Sequence, residues 1–189
     1  MNGNRSAQSK PDHGETDGKP RPGLADLRAQ HDNLEHLIEA RQRQLGVDHP
    51  DLANDLRDLG RLSHELGDVM DAQAQLRRAL ALHTETFGAE HPEAATDINH
   101  IGLILHDIGD LEGAYAAFER ALAIDESALG QTHPSVGRDA NNLGGVLRDM
   151  GDGFSARQAL DWALTIYTEA LGSDHPTTRS VARNRAMLG

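Results

Sequence analysis

Eleven histidines and 30 acidic side chains in 189 residues are the groups best able to do chemistry, as metal ligands or as acid–base pairs. Four of the histidines, His49, His91, His133 and His175, share one context, Gly-x-x-His-Pro, beginning at Gly46, Gly88, Gly130 and Gly172. Zinc would need its ligands about 2 Å from a single ion. The acids are spread along the whole chain, so no two stand out as a convergent acid–base pair. The phosphate-binding, nucleophile-elbow and zinc-helix patterns G-x-x-x-x-G-K-[ST], G-x-S-x-G and H-E-x-x-H do not occur. With no cysteine there is no thiolate, disulfide or cysteine zinc chemistry.

The spacing of the four motifs points to the elements that must hold them. Pro50, Pro92, Pro134 and Pro176 are separated by a constant 42 residues, and Gly60, Gly102 and Gly144, Gly67, Gly109 and Gly151, and Ala79, Ala121 and Ala163 keep the same step. Such self-similarity is the mark of a repeat array. Within one unit, Ala94, Ala95, Ile98, Ile101, Leu105 and Ile108 follow helical spacing and predict an amphipathic helix A over Pro92 to Asp107. Gly109-Asp110 breaks it, and Leu111 to Leu129 predicts helix B with Ala114, Phe118, Ala121, Leu122 and Leu129 inward. Proline is tolerated in the first turn of helix A, and the upstream glycine closes the preceding helix B. Stacked repeats keep equivalent residues roughly 10 Å apart. The His-Pro histidines therefore cannot meet on one ion; they are expected to cap helix A and fill the inter-repeat turn, and neither metal nor cofactor is expected.

Set with Gly60, Gly102 and Gly144 at position 8, the unit resembles the tetratricopeptide repeat. Position 4 is Leu56, Ile98 and Ala140, position 7 is Leu59, Ile101 and Leu143, position 20 is Ala72, Ala114 and Ala156, position 24 is Leu76, Phe118 and Leu160, and position 27 is the alanine ladder. The usual period is about 34 residues. The longer step, with Asn-Asn-Leu-Gly at 141–144, Gly-Asp at the turn and Leu-Gly-x-x-His-Pro at the end, resembles the kinesin light chain type, a form also common in bacterial regulatory proteins. The resemblance covers residues 25–189 and implies an all-α fold, a right-handed α-solenoid of antiparallel helix pairs. The expected organisation is a disordered tail over 1–23, a capping helix over 24–45, repeats over 46–87, 88–129 and 130–171, and a partial terminal repeat over 172–189. Position 17, usually aromatic, is Val69, Leu111 and Gly153, with Phe154 expected to move in for the missing side chain.

In this family helix A lines a concave face through positions 2, 5, 9 and 12, and the bound peptide is held by Asn, Arg and Lys. Carried over, these positions are Asn54, Arg57, Arg61 and His64, then Thr96, Asn99, Leu103 and His106, then Arg138, Asn141, Gly145 and Arg148, and finally Ser180 and Arg183. The set holds five arginines and no acid, although acids outnumber bases 30 to 18 in the chain. The resemblance therefore implies a non-enzymatic module for protein–protein interaction. Its arginines suit the carboxylates of an acidic peptide or a C-terminus, and its asparagines suit an extended backbone. The competing reading pairs those arginines with Glu65, Asp107 and Asp149 at position 13. Two other functions stay open: a regulatory or sensor subunit of a bacterial signalling system, and a scaffold that homo-oligomerises through its end helices or Trp162. Trp162 and Tyr167, aromatic where the other repeats are polar, are expected to pack against the terminal helix.

A net charge of −12 disfavours nucleic acid and anionic membrane as partners. No stretch reaches the roughly 20 apolar residues of a membrane span, and the first residues lack the apolar core of a secretory signal, so a cytoplasmic location is expected. Only Lys10 and Lys19 are lysines, an arginine bias that fits a GC-rich bacterial coding preference.

Overall fold

The computed structural model describes residues 23–189, in eight α-helices with no strand among them. The disordered tail expected over 1–23 lies, Gly23 apart, outside the described residues. In order the helices are α1 (Leu24–Leu45), α2 (Ala53–Leu66), α3 (Val69–Phe87), α4 (Pro92–Asp107), α5 (Leu111–Leu129), α6 (Pro134–Asp149), α7 (Gly153–Leu171) and α8 (Pro176–Ala186).

Local chemistry sets each boundary. Before α4, α6 and α8 the histidine preceding the proline is the N-cap, its Nδ1 accepting the backbone N–H of Glu93, Ser135 and Thr177 at 3.2 Å. His49 does the same for Asp51, but there Pro50–Leu52 forms a 3-10 turn closed by Leu52 N–H to His49 O, and the α-helix starts one turn late. The ring of His91 also stacks on Phe87 at 4.6 Å, so it fills the turn as well as capping it. At the other turn, Gly67, Gly109 and Gly151 take φ of 85 to 89°, where a side chain would be strained, and Asp68, Asp110 and Asp152 cap the helix that follows.

The helices pack as antiparallel pairs, α2 with α3, α4 with α5 and α6 with α7, each pair stacked on the next and flanked by α1 and α8. Ala72, Ala114, Ala156, Ala79, Ala121 and Ala163 are fully buried. Gly60, Gly102 and Gly144 show why small residues are required. A Cβ there would stand 2.8 Å from Leu76 Cγ, 2.7 Å from the Phe118 ring and 2.6 Å from Leu160 Cγ. Overpacking of this kind costs about 1–3 kcal/mol. Phe154 does not replace the aromatic absent at Gly153: it is 73% exposed, at the helix position that the exposed Met70 and Glu112 hold in the other repeats.

α2 touches α4 and α4 touches α6, while no comparable contact joins α3 to α5 or α5 to α7. The A helices are therefore the inner row of the stack, and their outward-facing residues line its concave side.

Candidate functional site

The inner row presents side chains that are already engaged with one another. Arg57 is held by Asp97 (Nε to Oδ1, 2.5 Å), by Glu93 (Nη2 to Oε2, 2.6 Å) and by the Glu93 carbonyl (3.0 Å), with Asn54 Oδ1 accepting from its Nη1 at 3.2 Å. Arg138 donates to Asp139 at 3.0 Å and to Asp125 at 3.3 Å. Asn99 is buried, donating to Asp139 at 2.6 Å and accepting from Asn142 at 3.1 Å. Asn141 accepts from Asn184 at 3.0 Å. The position-13 acids are used too: Glu65 takes Arg61 at 2.6 Å, Asp107 meets His64 at 3.1 Å, and Asp149 meets Arg148 and His106, each at 2.8 Å. Thr96 bonds back to its own helix at Pro92, Leu103 packs beside Phe118, and Gly145 faces open space. Ser180 is buried and Arg183 exposed on α8.

The sequence reading missed position 3. Asp55, Asp97 and Asp139 form a second ladder of step 42 on the same helices, and each faces the preceding B helix 14 residues upstream. There the partners differ at every joint. Between α1 and α2, Arg41 pairs with Asp55. Between α3 and α4, His83 Nδ1 lies 2.7 Å from Asp97 Oδ2. Between α5 and α6, Asp125 faces another acid, Asp139. Between α7 and α8 the pair is apolar, Tyr167 and Val181, in one cluster with Ala140, Leu160 and Ala163. Trp162 packs on that same cluster, together with Leu122 of α5. The concave side is thus not free of acid; it has buried aspartates at its base and arginines that reach across to them.

Electrostatics follow from that arrangement. Burial works against the charge on Arg57, yet its bonds and attraction to Asp97 and Glu93 prevail and raise its pKa. Burial likewise opposes ionisation of Glu93, but Arg57 outweighs it and holds Glu93 below its usual range. For Asp97 burial wins, and its pKa is raised despite Arg57 and His83. His100, partly buried at the middle of the inner row, is driven down to about 3 by burial and then by the positive potential of Arg138, Arg57, Arg61 and His64. It is a neutral imidazole near three guanidinium groups. His31, Asp32 and Glu35 bring ligand atoms within 4.8 Å of one another on α1. His31 Nε2, however, is tied to Ser63 Oγ at 3.1 Å, which fastens α1 to α2.

An array of helix pairs with an inner row of polar side chains defines a helical-repeat binding protein. Two family models, both described as tetratricopeptide repeat, match residues 62–127 and 93–152, and residues 140–177. The chain belongs to the tetratricopeptide repeat family. It is similar to the crystal structure of a Podosopora anserina putative kinesin light chain with nearly identical TPR-like repeats (21% identity, TM-score 0.70, covering 87% of this chain and 78% of that one). It is also similar to BtubC (BKLC) from P. vanneervenii (18% identity, TM-score 0.66, 87% and 63%) and to MamA (18% identity, TM-score 0.51, 89% and 94%). No curated protein matches the sequence. Repeats of this family generally mediate interactions between proteins, and no helix among the described residues is long and apolar enough to cross a membrane.

Proposed function

We propose that the chain is a binding module, not an enzyme, which takes an extended acidic segment or a C-terminal carboxylate along the row formed by α2, α4, α6 and α8. The observation that carries this reading is that the guanidinium groups of Arg57, Arg61 and Arg138 gather about His100 at the centre of the row, in a chain of net charge −12. Arg61 is the cation most readily exchanged to a ligand. It is 44% exposed, and its one bond is to Glu65 on the same helix, a type of pair worth about 0.3–0.5 kcal/mol. His64, His106, Asn54, Asn141, Arg148 and Arg183 extend the row on either side. Arg57, Arg138 and Asn99 act from behind, holding the buried aspartates while their charge and amides shape the surface.

The test is binding of labelled peptides of equal length, acidic, neutral and basic, at low and raised salt. Acidic peptides bind best and weaken with salt. Arg61→Glu lowers their affinity about 10-fold, or 1.4 kcal/mol, while costing less than about 1 kcal/mol in the thermal melt, from the lost pair and the new repulsion with Glu65. Equal binding of neutral and acidic peptides, or an unchanged affinity in Arg61→Glu, would disprove the reading. Removing Arg57 or Arg138 is a poor test of binding, since either change strips a buried acid of its partner.

A further inference from the structure

We propose that Asp125 of α5 and Asp139 of α6 share one proton, and that this proton fastens the second helix pair to the third, so that the joint loosens as the pH rises through neutrality.

The donor count carries the argument. Both side chains are essentially fully buried. Asp139 Oδ1 receives Asn99 Nδ2 at 2.6 Å and Arg138 Nε at 3.0 Å, and Asp125 Oδ2 receives Arg138 Nη2 at 3.3 Å. The two remaining oxygens, Asp125 Oδ1 and Asp139 Oδ2, are buried and have no donor. One guanidinium, that of Arg138, bridges the two carboxyl groups and so holds them side by side. Two carboxylates cannot bond without a hydrogen between them. Arg138 supplies one positive charge against two acids, so one proton both neutralises the site and converts a repulsion into an O–H···O bond. The equivalent residue pairs need none: Arg41 serves Asp55, His83 and Arg57 serve Asp97, and Tyr167 with Val181 carries no charge.

The surroundings favour retention of that proton. Burial is the largest influence on both acids and raises both; for Asp139 the result is a value of about 7, the nearby Asp125 adding to the rise and Arg138 opposing it. The proton belongs to the pair and not to one residue. α4 contributes Glu93, which adds to the rise at Asp125, and His100, which is neutral. The turn contributes His133, which opposes the rise, and α7 presents Ile166 and the Tyr167 ring to α6 at Gly137.

The sign follows from proton counting. The folded pair holds a proton at a pH where the unfolded chain has released it, so stability falls as pH rises from the ordinary carboxylate range through about 7, and is level beyond it. On opening, the proton passes to solvent, and the two anions and Arg138 hydrate. Since this joint sets how the third pair sits on the second, its loosening alters the curvature of the inner row.

The single tryptophan reports on the event, because Trp162 packs on the cluster that joins Leu122 of α5 to Ala140 of α6. Asp139→Asn keeps the Oδ1 acceptor for Asn99 and Arg138 and puts an N–H where the proton stood; Asp125→Asn does the same from the other side. Urea unfolding of wild type and each variant is followed by Trp162 fluorescence at about pH 5 and about pH 8.5, the difference between proteins removing the background of other titrations. The variants match wild type at the lower pH, and their midpoints exceed it by about 0.5–1 M at the higher pH. Carbon-13 carboxyl shifts of wild type show one of the two acids titrating near neutrality. A midpoint difference that does not change with pH, or two carboxyls that both ionise in the ordinary acid range, overturns the proposal. If one variant fails to fold, the other variant and the carboxyl titration decide.

Discussion

The α3–α4 joint and the α5–α6 joint occupy equivalent places in the lattice, and each buries an aspartate at position 3 beneath an arginine of the inner row. At the first, Asp97 meets the imidazole of His83 and the guanidinium of Arg57, which reaches 40 residues along the chain. At the second, Asp139 meets the carboxyl of Asp125, and the place of Arg57 is taken by the neutral Asn99, also 40 residues upstream. The backbone is the same; only the charge count differs. The comparison teaches that in a repeat array the fold tolerates opposite solutions at one position, provided each buried charge finds a counter-charge, a donor or a proton.

The largest effect tests the first joint. Arg57→Ala leaves Asp97 buried with His83 alone and removes the partner of Glu93, and is expected to cost about 3–5 kcal/mol in urea unfolding. Arg138→Ala at the second joint is expected to cost less than half of that near pH 6, because the Asp125–Asp139 pair can compensate by binding a second proton. Equal losses would mean that the two joints are electrostatically alike.

Exchanging the chemistries comes next. Asp125→His rebuilds the His83–Asp97 contact at the second joint and should stabilise it by about 1–2 kcal/mol at alkaline pH, where a shared proton is lost. The pH response also differs in kind between the joints. Asp125 and Asp139 are both raised by burial, so their joint weakens with rising pH only. At α3–α4, Asp97 is raised by burial while Glu93 is held low by Arg57. The Glu93 contribution is present above its unfolded range and lost in acid, so Glu93→Gln should lessen the acid sensitivity of this joint. A similar acid sensitivity in wild type and variant would show that Glu93 plays no such part.

The smaller effects are controls. His91→Ala and His133→Ala remove equivalent N-caps beside the two joints, each lowering stability by about 1 kcal/mol, with a somewhat larger loss at His91, whose ring also stacks on Phe87. A larger loss at His133 in urea unfolding would show that its cap is coupled to the second joint. Arg61→Ala, which breaks only an exposed pair with Glu65 at neither joint, should change stability by less than about 0.5 kcal/mol. A larger loss in its thermal melt would mean that Arg61 is tied into the stack.

Most of the fold was legible because its causes are local. The step of 42 is carried by glycines, alanines and prolines whose sizes and backbone preferences act within one turn or one helix pair. α4 and α5 accordingly run over the residues that periodicity indicates. Phe154 went the other way, since one step along a helix turns a side chain by about 100°, here to the face where Met70 and Glu112 are exposed. The candidate groove was legible as a row of residues but not as a balance of charge. Counting positions 2, 5, 9 and 12 found the arginines and passed over Asp55, Asp97 and Asp139, although their spacing was as regular as that of the glycines.

By itself, then, the sequence determined the repeat, the helix ends, the histidine caps and the residues that face the inner row, because each depends on neighbours within about one unit of chain. Only the tertiary structure decided that Arg57 serves Asp97, that Asn99 serves Asp139, and that Asp125 has an acid for its partner. Those pairs are 14 and 40 residues apart, and they come together only when one helix pair stacks on the next. Stacking also removes the water that would otherwise have kept both Asp125 and Asp139 ionised.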